Sequence, residues 1–183
     1  MKPELERFRR ETTEAMDHAR RLVSELSDEV LQKRPSPAEW SAAECLDHLT
    51  ISARAYHPFV DEAIDRGAPL GTSPYKPRWI WRKFVESLEP PVKRKFKTAP
   101  AFVPDRQRPS QDVLRDFLEA HQRLLDALPR VDPLDLRKIR IASPFAQWMR
   151  YPLGLVFYLV PAHCRRHLWQ ADQAVARFSV AGQ

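Results

Sequence analysis

Residues 161–171 read PAHCRRHLWQA, placing two histidines, His163 and His167, four positions apart in a segment whose apolar spacing is that of a helix. Four residues turn a helix through about 400°, so both imidazoles leave the same side within reach of each other. That is the spacing of a two-point metal clamp, and a tetrahedral site then needs a third protein ligand from elsewhere in the chain. Ordinary surface or core histidines take the same spacing. What this helix packs against decides between the two.

Outward from the pair, the helix is predicted to run from Leu153 to about Phe178, with Leu155, Leu159, Pro161 and Leu168 giving the histidines an apolar setting. At the other end of the chain, Leu5, Phe8, Thr12, Ala15, Ala19, Leu22, Val23 and Leu26 recur at three- and four-residue steps, predicting an amphipathic helix over Pro3 to Leu26. The stretch WSAAE, residues 40–44, is a helix start: Ser41 as N-cap and Glu44 as the reciprocal member of a capping box, with Trp40 able to staple onto Cys45. The helix it opens is predicted to reach about Arg66. Its stripe of Cys45, Leu46, Leu49, Ala53, Tyr56 and Val60 sets His48 beside the core, and Pro58 should kink it or mark a local irregularity. Ser110 is predicted to cap a third long helix that carries Val113, Leu114, Phe117, Leu118, His121, Leu124, Leu125 and Leu128 on its apolar side and ends at Pro129.

Two irregular connections remain, one holding a short helical stretch RWIWRKFVESLE at 78–89, the other running from Arg130 to Pro152. Strand signals are nearly absent, and four glycines leave little turn chemistry for a sheet. The expected fold is all-α, a four-helix bundle with long crossover loops and one or two short extra helices, forming a single domain over 1–183.

Composition narrows the function classes. No apolar run approaches the roughly 20 residues that span a bilayer, and the first residues are too charged for a signal peptide, so a cytoplasmic protein without membrane contact is expected. Cys45 and Cys164 are read as buried thiols. The formal charge of +6 is local: from Lys76 to Arg108 ten Lys or Arg face three Asp or Glu, leaving the rest of the chain at −1. Cations confined to one proline-rich loop do not make the stripe of a nucleic-acid binder. They suit equally a gate for anionic small molecules and a solvated, mobile loop with no role.

Of six histidines, His48, His163 and His167 point inward on two helices of the bundle, whereas His18, His57 and His121 lack partner spacing or phase. Three inward imidazoles bring polar atoms that are costly to bury unsatisfied, and a shared metal ion would satisfy them.

The two blocks WSAAECLDHL and PAHCRRHLWQ resemble the paired signatures of the DinB-like superfamily, the damage-inducible or YfiT-like metal-binding four-helix bundle proteins. The match rests on Trp40, Ser41, Glu44, His48 and Leu49, then His163, His167, Leu168 and Gln170. The resemblance implies a divalent ion, Zn, Ni or Fe, on His48, His163 and His167, with a coordination position left open. It also implies either transferase or isomerase chemistry on a low-molecular-weight thiol, or metal-dependent hydrolysis. Many relatives carry Glu directly after the first histidine of the late motif, where this chain has Cys164. Cys164 lies about 100° from His163 around the helix and is expected to pack sideways. With Glu44 occupied in the cap and Asp47 about 100° from His48, no general base is tied to the site, which favours the thiol chemistry. The expected partner is a small, anionic molecule, and the oligomeric expectation extends to a homodimer. The alternative is a non-catalytic, metal-stabilised stress or interaction protein whose basic loop meets an acidic partner.

Overall fold

Pro3 opens α1 (Pro3–Glu25), where a first-turn proline loses no helical hydrogen bond, and Glu4 and Glu6 complement the positive end of its dipole. The three-to-four spacing buries Leu5, Phe8, Thr12, Ala15, Ala19 and Leu22 along one side. The structure, a computed structural model, describes residues 1–66, 68–92, 97–105, 108–146 and 148–179. Lys93, Arg94, Lys95 and Arg106 of the basic excursion lie outside the described residues.

After the short α2 (Asp28–Gln32), α3 (Ala42–Arg54) begins at the expected capping box. The Glu44 N–H donates to Ser41 Oγ at 3.2 Å and the Ser41 N–H to Glu44 Oε2 at 2.9 Å. Arg34 adds a two-pronged contact to the same carboxylate. The single helix expected from Ser41 to about Arg66 is two helices, because α3 stops at Arg54 and α4 (His57–Asp65) starts afresh with Pro58 in its first turn. Proline removes one helical donor and its ring collides with the carbonyl four residues back, which here is Arg54.

The excursion contributes α5 (Trp79–Glu86) and a 3₁₀ turn over Pro100–Phe102 before α6 (Ser110–Asp126). Ser110 does not cap α6, contrary to expectation. Pro109 takes the cap position, and the Ser110 N–H donates across to Asp28 Oδ1 at 2.9 Å, so α2 supplies the missing acceptor. Pro129 likewise does not end α6 but sits in the first turn of α7 (Leu128–Val131), for the reason that places Pro58. The connection expected to be irregular from Arg130 to Pro152 contains a hairpin, β1 (Arg140–Ala142) antiparallel to β2 (Arg150–Pro152), with Ile141 opposite Tyr151. Strands of three residues are too short to show an alternating pattern. Burial of Ile141 and Tyr151 against the bundle holds them. Finally, α8 (Val156–Ser179) follows a 3₁₀ turn and carries Pro161 within it.

The long helices α1, α3, α6 and α8 form the bundle, with α1 and α3 each packed against both α6 and α8. One continuous core joins them, including Phe8 edge-on to Phe157 at 5.1 Å between centroids. This all-α arrangement makes α3 and α8, the bearers of the three candidate histidines, neighbours. Among the described residues no helix is long and apolar enough to cross a membrane.

Candidate metal centre

His48 is one turn beyond Glu44, so the buried cap fixes the phase at which its imidazole leaves α3. Its Nδ1–H donates to the Phe102 carbonyl at 2.7 Å; a carbonyl only accepts, so the proton belongs on Nδ1 and the Nε2 lone pair faces inward. That Nε2 is 3.2 Å from His163 Nε2. On α8, the His167 Nδ1–H donates to Gln170 Oε1 at 3.1 Å, which likewise frees Nε2. One ring nitrogen from each of His48, His163 and His167 can be chosen so that all lie within 4.8 Å of one another. The ring centroids are 4.6 to 5.0 Å apart. Trp40 closes the group, its ring 4.8 Å from that of His48 and 5.8 Å from that of His167.

Burial pushes the His48 imidazole below its ordinary range, and holds His163 and His167 well below it, with the neighbouring imidazoles and Arg166 acting in the same direction. All three are therefore neutral at pH 7, the form in which imidazole is a metal ligand. A tetrahedral ion with bonds of about 2.0 to 2.1 Å has ligand atoms about 3.3 Å apart, close to the His48–His163 separation. The donor set and its geometry fit one divalent ion.

The histidines form part of the wall of a cavity of about 760 Å³, whose apolar lining includes Leu49, Ala53, Phe145, Met149, Leu159 and Val160. The excursion reaches the same wall through Lys97, Thr98, Ala99, Phe102 and Val103. Among the described residues, Glu39 is the one carboxylate in the lining, and it accepts from Arg177 and from the Ser36 hydroxyl. Asp47 is buried outside the cavity lining, and accepts from Arg108 at 2.7 Å and from the Asp105 N–H at 3.0 Å.

Cys164 stands apart from the imidazole group, its thiol pushed up to about 12 by burial and its Sγ 3.3 Å from His121 Nε2. The structure thus gives His121 a place that sequence reading missed: on the cavity wall, its Nδ1–H donating to the Phe117 carbonyl at 2.8 Å and burial lowering it to about 4. Its position on the apolar stripe of α6, between Phe117 and Leu124, was the available signal. His57 Nε2 contacts the Ala120 carbonyl at 2.9 Å, and His18 pairs with Asp172 at 2.9 Å near the surface; neither approaches the three. Phe102 had no sequence signal, because a main-chain carbonyl orients His48 and any residue carries one.

Comparison of the chain with curated proteins and with solved structures finds no match. The family model of the DinB superfamily matches residues 11–171, a span that contains Trp40 and all three clustered histidines. A match over that much of an all-α bundle agrees with the helical architecture and with the pairing of the two sequence blocks across α3 and α8, and on it this chain belongs to the DinB superfamily.

Proposed function

We propose that this protein is a metal-dependent enzyme in which His48, His163 and His167 hold one divalent ion, zinc, nickel or iron, at the wall of a cavity that takes a small molecule. The observation supporting this reading is the convergence of three neutral imidazoles on that cavity, two of them oriented by hydrogen bonds through their other nitrogen. An ion held there supplies Lewis acidity that makes a nucleophile of a thiol or of water at neutral pH.

The protein's own groups favour a low-molecular-weight thiol, and hence transferase or isomerase chemistry, over hydrolysis. Glu44 is held by Arg34 and the cap, Asp47 by Arg108, and Glu39 by Arg177, while His121 spends Nε2 on Cys164. Water, the weaker acid, has the greater need of a base to take its proton. Trp40 packs against His48, and much of the lining around the histidines is apolar. The basic excursion serves as a gate for an anionic molecule, since Lys97 reaches the lining. Replacing Lys93, Arg94, Lys95 and Lys97 together by Gln should weaken uptake of an anion and flatten its salt dependence without changing metal content.

A purely structural ion would call for a fourth protein ligand. Neither cysteine belongs to the imidazole group: Cys164 contacts His121, and burial raises the Cys45 thiol far above its usual range. Elemental analysis of protein purified without a polyhistidine tag tests the metal reading, with about one divalent ion per chain expected. Protein that stays metal-free after incubation with zinc, nickel and ferrous iron overturns it. In the cobalt-substituted protein, a thiolate charge-transfer band would return the site to a structural role.

A further inference from the structure

We propose that Ser52, together with the hydroxyl pair of Tyr56 and Tyr151, forms a subsite for a carbonyl-type oxygen of the cavity's ligand, one to two helical turns beyond the three histidines. The proposal deepens the reading of the cavity as a small-molecule site and rests on that reading, but it needs no ion.

Ser52 follows His48 by four residues on α3, so the two side chains leave the same face with Cβ atoms about 5 to 6 Å apart, and both line the cavity. The serine is 3% exposed, and among the described residues its Oγ has no hydrogen-bond partner. A helical hydroxyl can bond back to the carbonyl one turn earlier, as the Thr50 hydroxyl does by donating to the Leu46 carbonyl at 3.0 Å. Ser52 makes no such bond, which leaves its donor at the cavity wall. A buried polar atom without a partner costs free energy, and in a binding cavity the partner that recovers it is supplied by what binds there.

One turn further along, the hydroxyls of Tyr56 and Tyr151 lie 3.0 Å apart, one donating to the other. Both tyrosines are buried and line the cavity. Two hydroxyls joined by one bond use one proton between them, and the second proton still needs an acceptor. Ser143, on the same wall, brings one proton for each that it accepts, so the count stands. Burial raises both phenols above their ordinary range, which keeps them protonated as donors.

His48 meets His163 and Tyr56 meets Tyr151, so the two walls run antiparallel, with the imidazoles and the phenols eight residues apart on one of them. Eight helical residues span roughly 12 Å. The interval is lined by Leu49, Ala53 and Val160, which suit a hydrocarbon body. A ligand whose reacting atom lies at the histidines and whose body fills this interval presents its far end to the hydroxyls. A carbonyl oxygen answers them best, because it has a lone pair for each of two donors and no proton that would itself need an acceptor.

The test compares acetophenone with α-methylstyrene, which replaces the carbonyl oxygen by a methylene group in the same shape, by calorimetry on the protein as purified. Ser52→Ala should lower the ratio of acetophenone affinity to α-methylstyrene affinity about five-fold, the effect of one neutral hydrogen bond. Tyr56→Phe combined with Tyr151→Phe should lower it by a similar factor, and because both partners of a bond are removed together the fold should hold. A ratio within about two-fold of wild type in either variant overturns the proposal, the hydroxyls then serving only packing or a buried water. Wild type that binds neither probe at millimolar concentration overturns it as well. If the double variant does not fold, Ser52→Ala decides. Metal content, measured separately, keeps the two readings apart: a Ser52-dependent ratio in protein that takes up no metal sustains the subsite and removes the metal, whereas full metal content with an unchanged ratio does the reverse.

Discussion

The imidazole of His48 is oriented by the main-chain carbonyl of Phe102, 54 residues later in sequence, across a 2.7 Å hydrogen bond. A carbonyl in the excursion thus selects the tautomer of a residue in the bundle. Phe102 is held in turn by its ring, 4.4 Å from that of Phe145. Phe102→Ala keeps the carbonyl but removes the packing that places it, and loss of such an outer contact typically weakens metal binding 10- to 100-fold. Competition with a chelator should show a loss of about 10-fold with helicity unchanged; wild-type affinity would mean that the excursion does not position His48.

Replacing His48, His163 or His167 singly by Ala should each cut bound metal sharply. His18→Ala, His57→Ala and His121→Ala should leave it near the wild-type level, since these three make hydrogen bonds outside the imidazole group. Elemental analysis of the six purified variants checks the set. Comparable loss in all six would show that the ranking is wrong.

Arg34 and Glu44 form a two-pronged ion pair whose carboxylate is buried at the head of α3. Removing one partner of a buried pair strands the other charge and costs about 3 kcal/mol. Arg34→Ala should therefore lower the free energy of unfolding by about that amount, measured by urea denaturation, and should weaken metal binding through α3. A variant as stable as the wild type would show that the capping box alone holds the helix start.

His121 is held at about 4 against an ordinary 6.5 by burial. Between those values the unfolded chain takes up a proton that the folded chain refuses, so the stability is fully present above pH 6.5 and falls as the pH drops toward 4. For this one group the loss reaches about 3 kcal/mol. His48, His57, His163 and His167 are lowered too and deepen the loss. Urea denaturation of the metal-free protein at pH 7, 6 and 5 should show progressive destabilisation, shallower in His121→Leu. A flat profile would contradict the burial of these imidazoles.

The sequence by itself determined the features that rest on local periodicity: the helical class, the stripes of α1, α3, α6 and α8, the capping box at Ser41 and Glu44, and the phase that turns His48, His163 and His167 inward. Each follows from 3.6 residues per turn and from the hydrogen bonds a helix end lacks, which neighbouring residues supply. Where local rules offered two outcomes, contacts from afar chose. Pro58 could bend one helix or divide it, and it divides it; Ser110 could cap α6, but Asp28 takes the donor; Arg140–Ala142 and Arg150–Pro152 pair only because the bundle buries Ile141 and Tyr151. Only the tertiary structure brought α3 beside α8, closed the cavity, set the Phe102 carbonyl against His48 and seated His121 on Cys164. The reason is physical: side-chain phase is encoded every few residues, whereas the partner of a buried polar atom is fixed by how whole helices pack, and a main-chain carbonyl leaves no trace in residue identity.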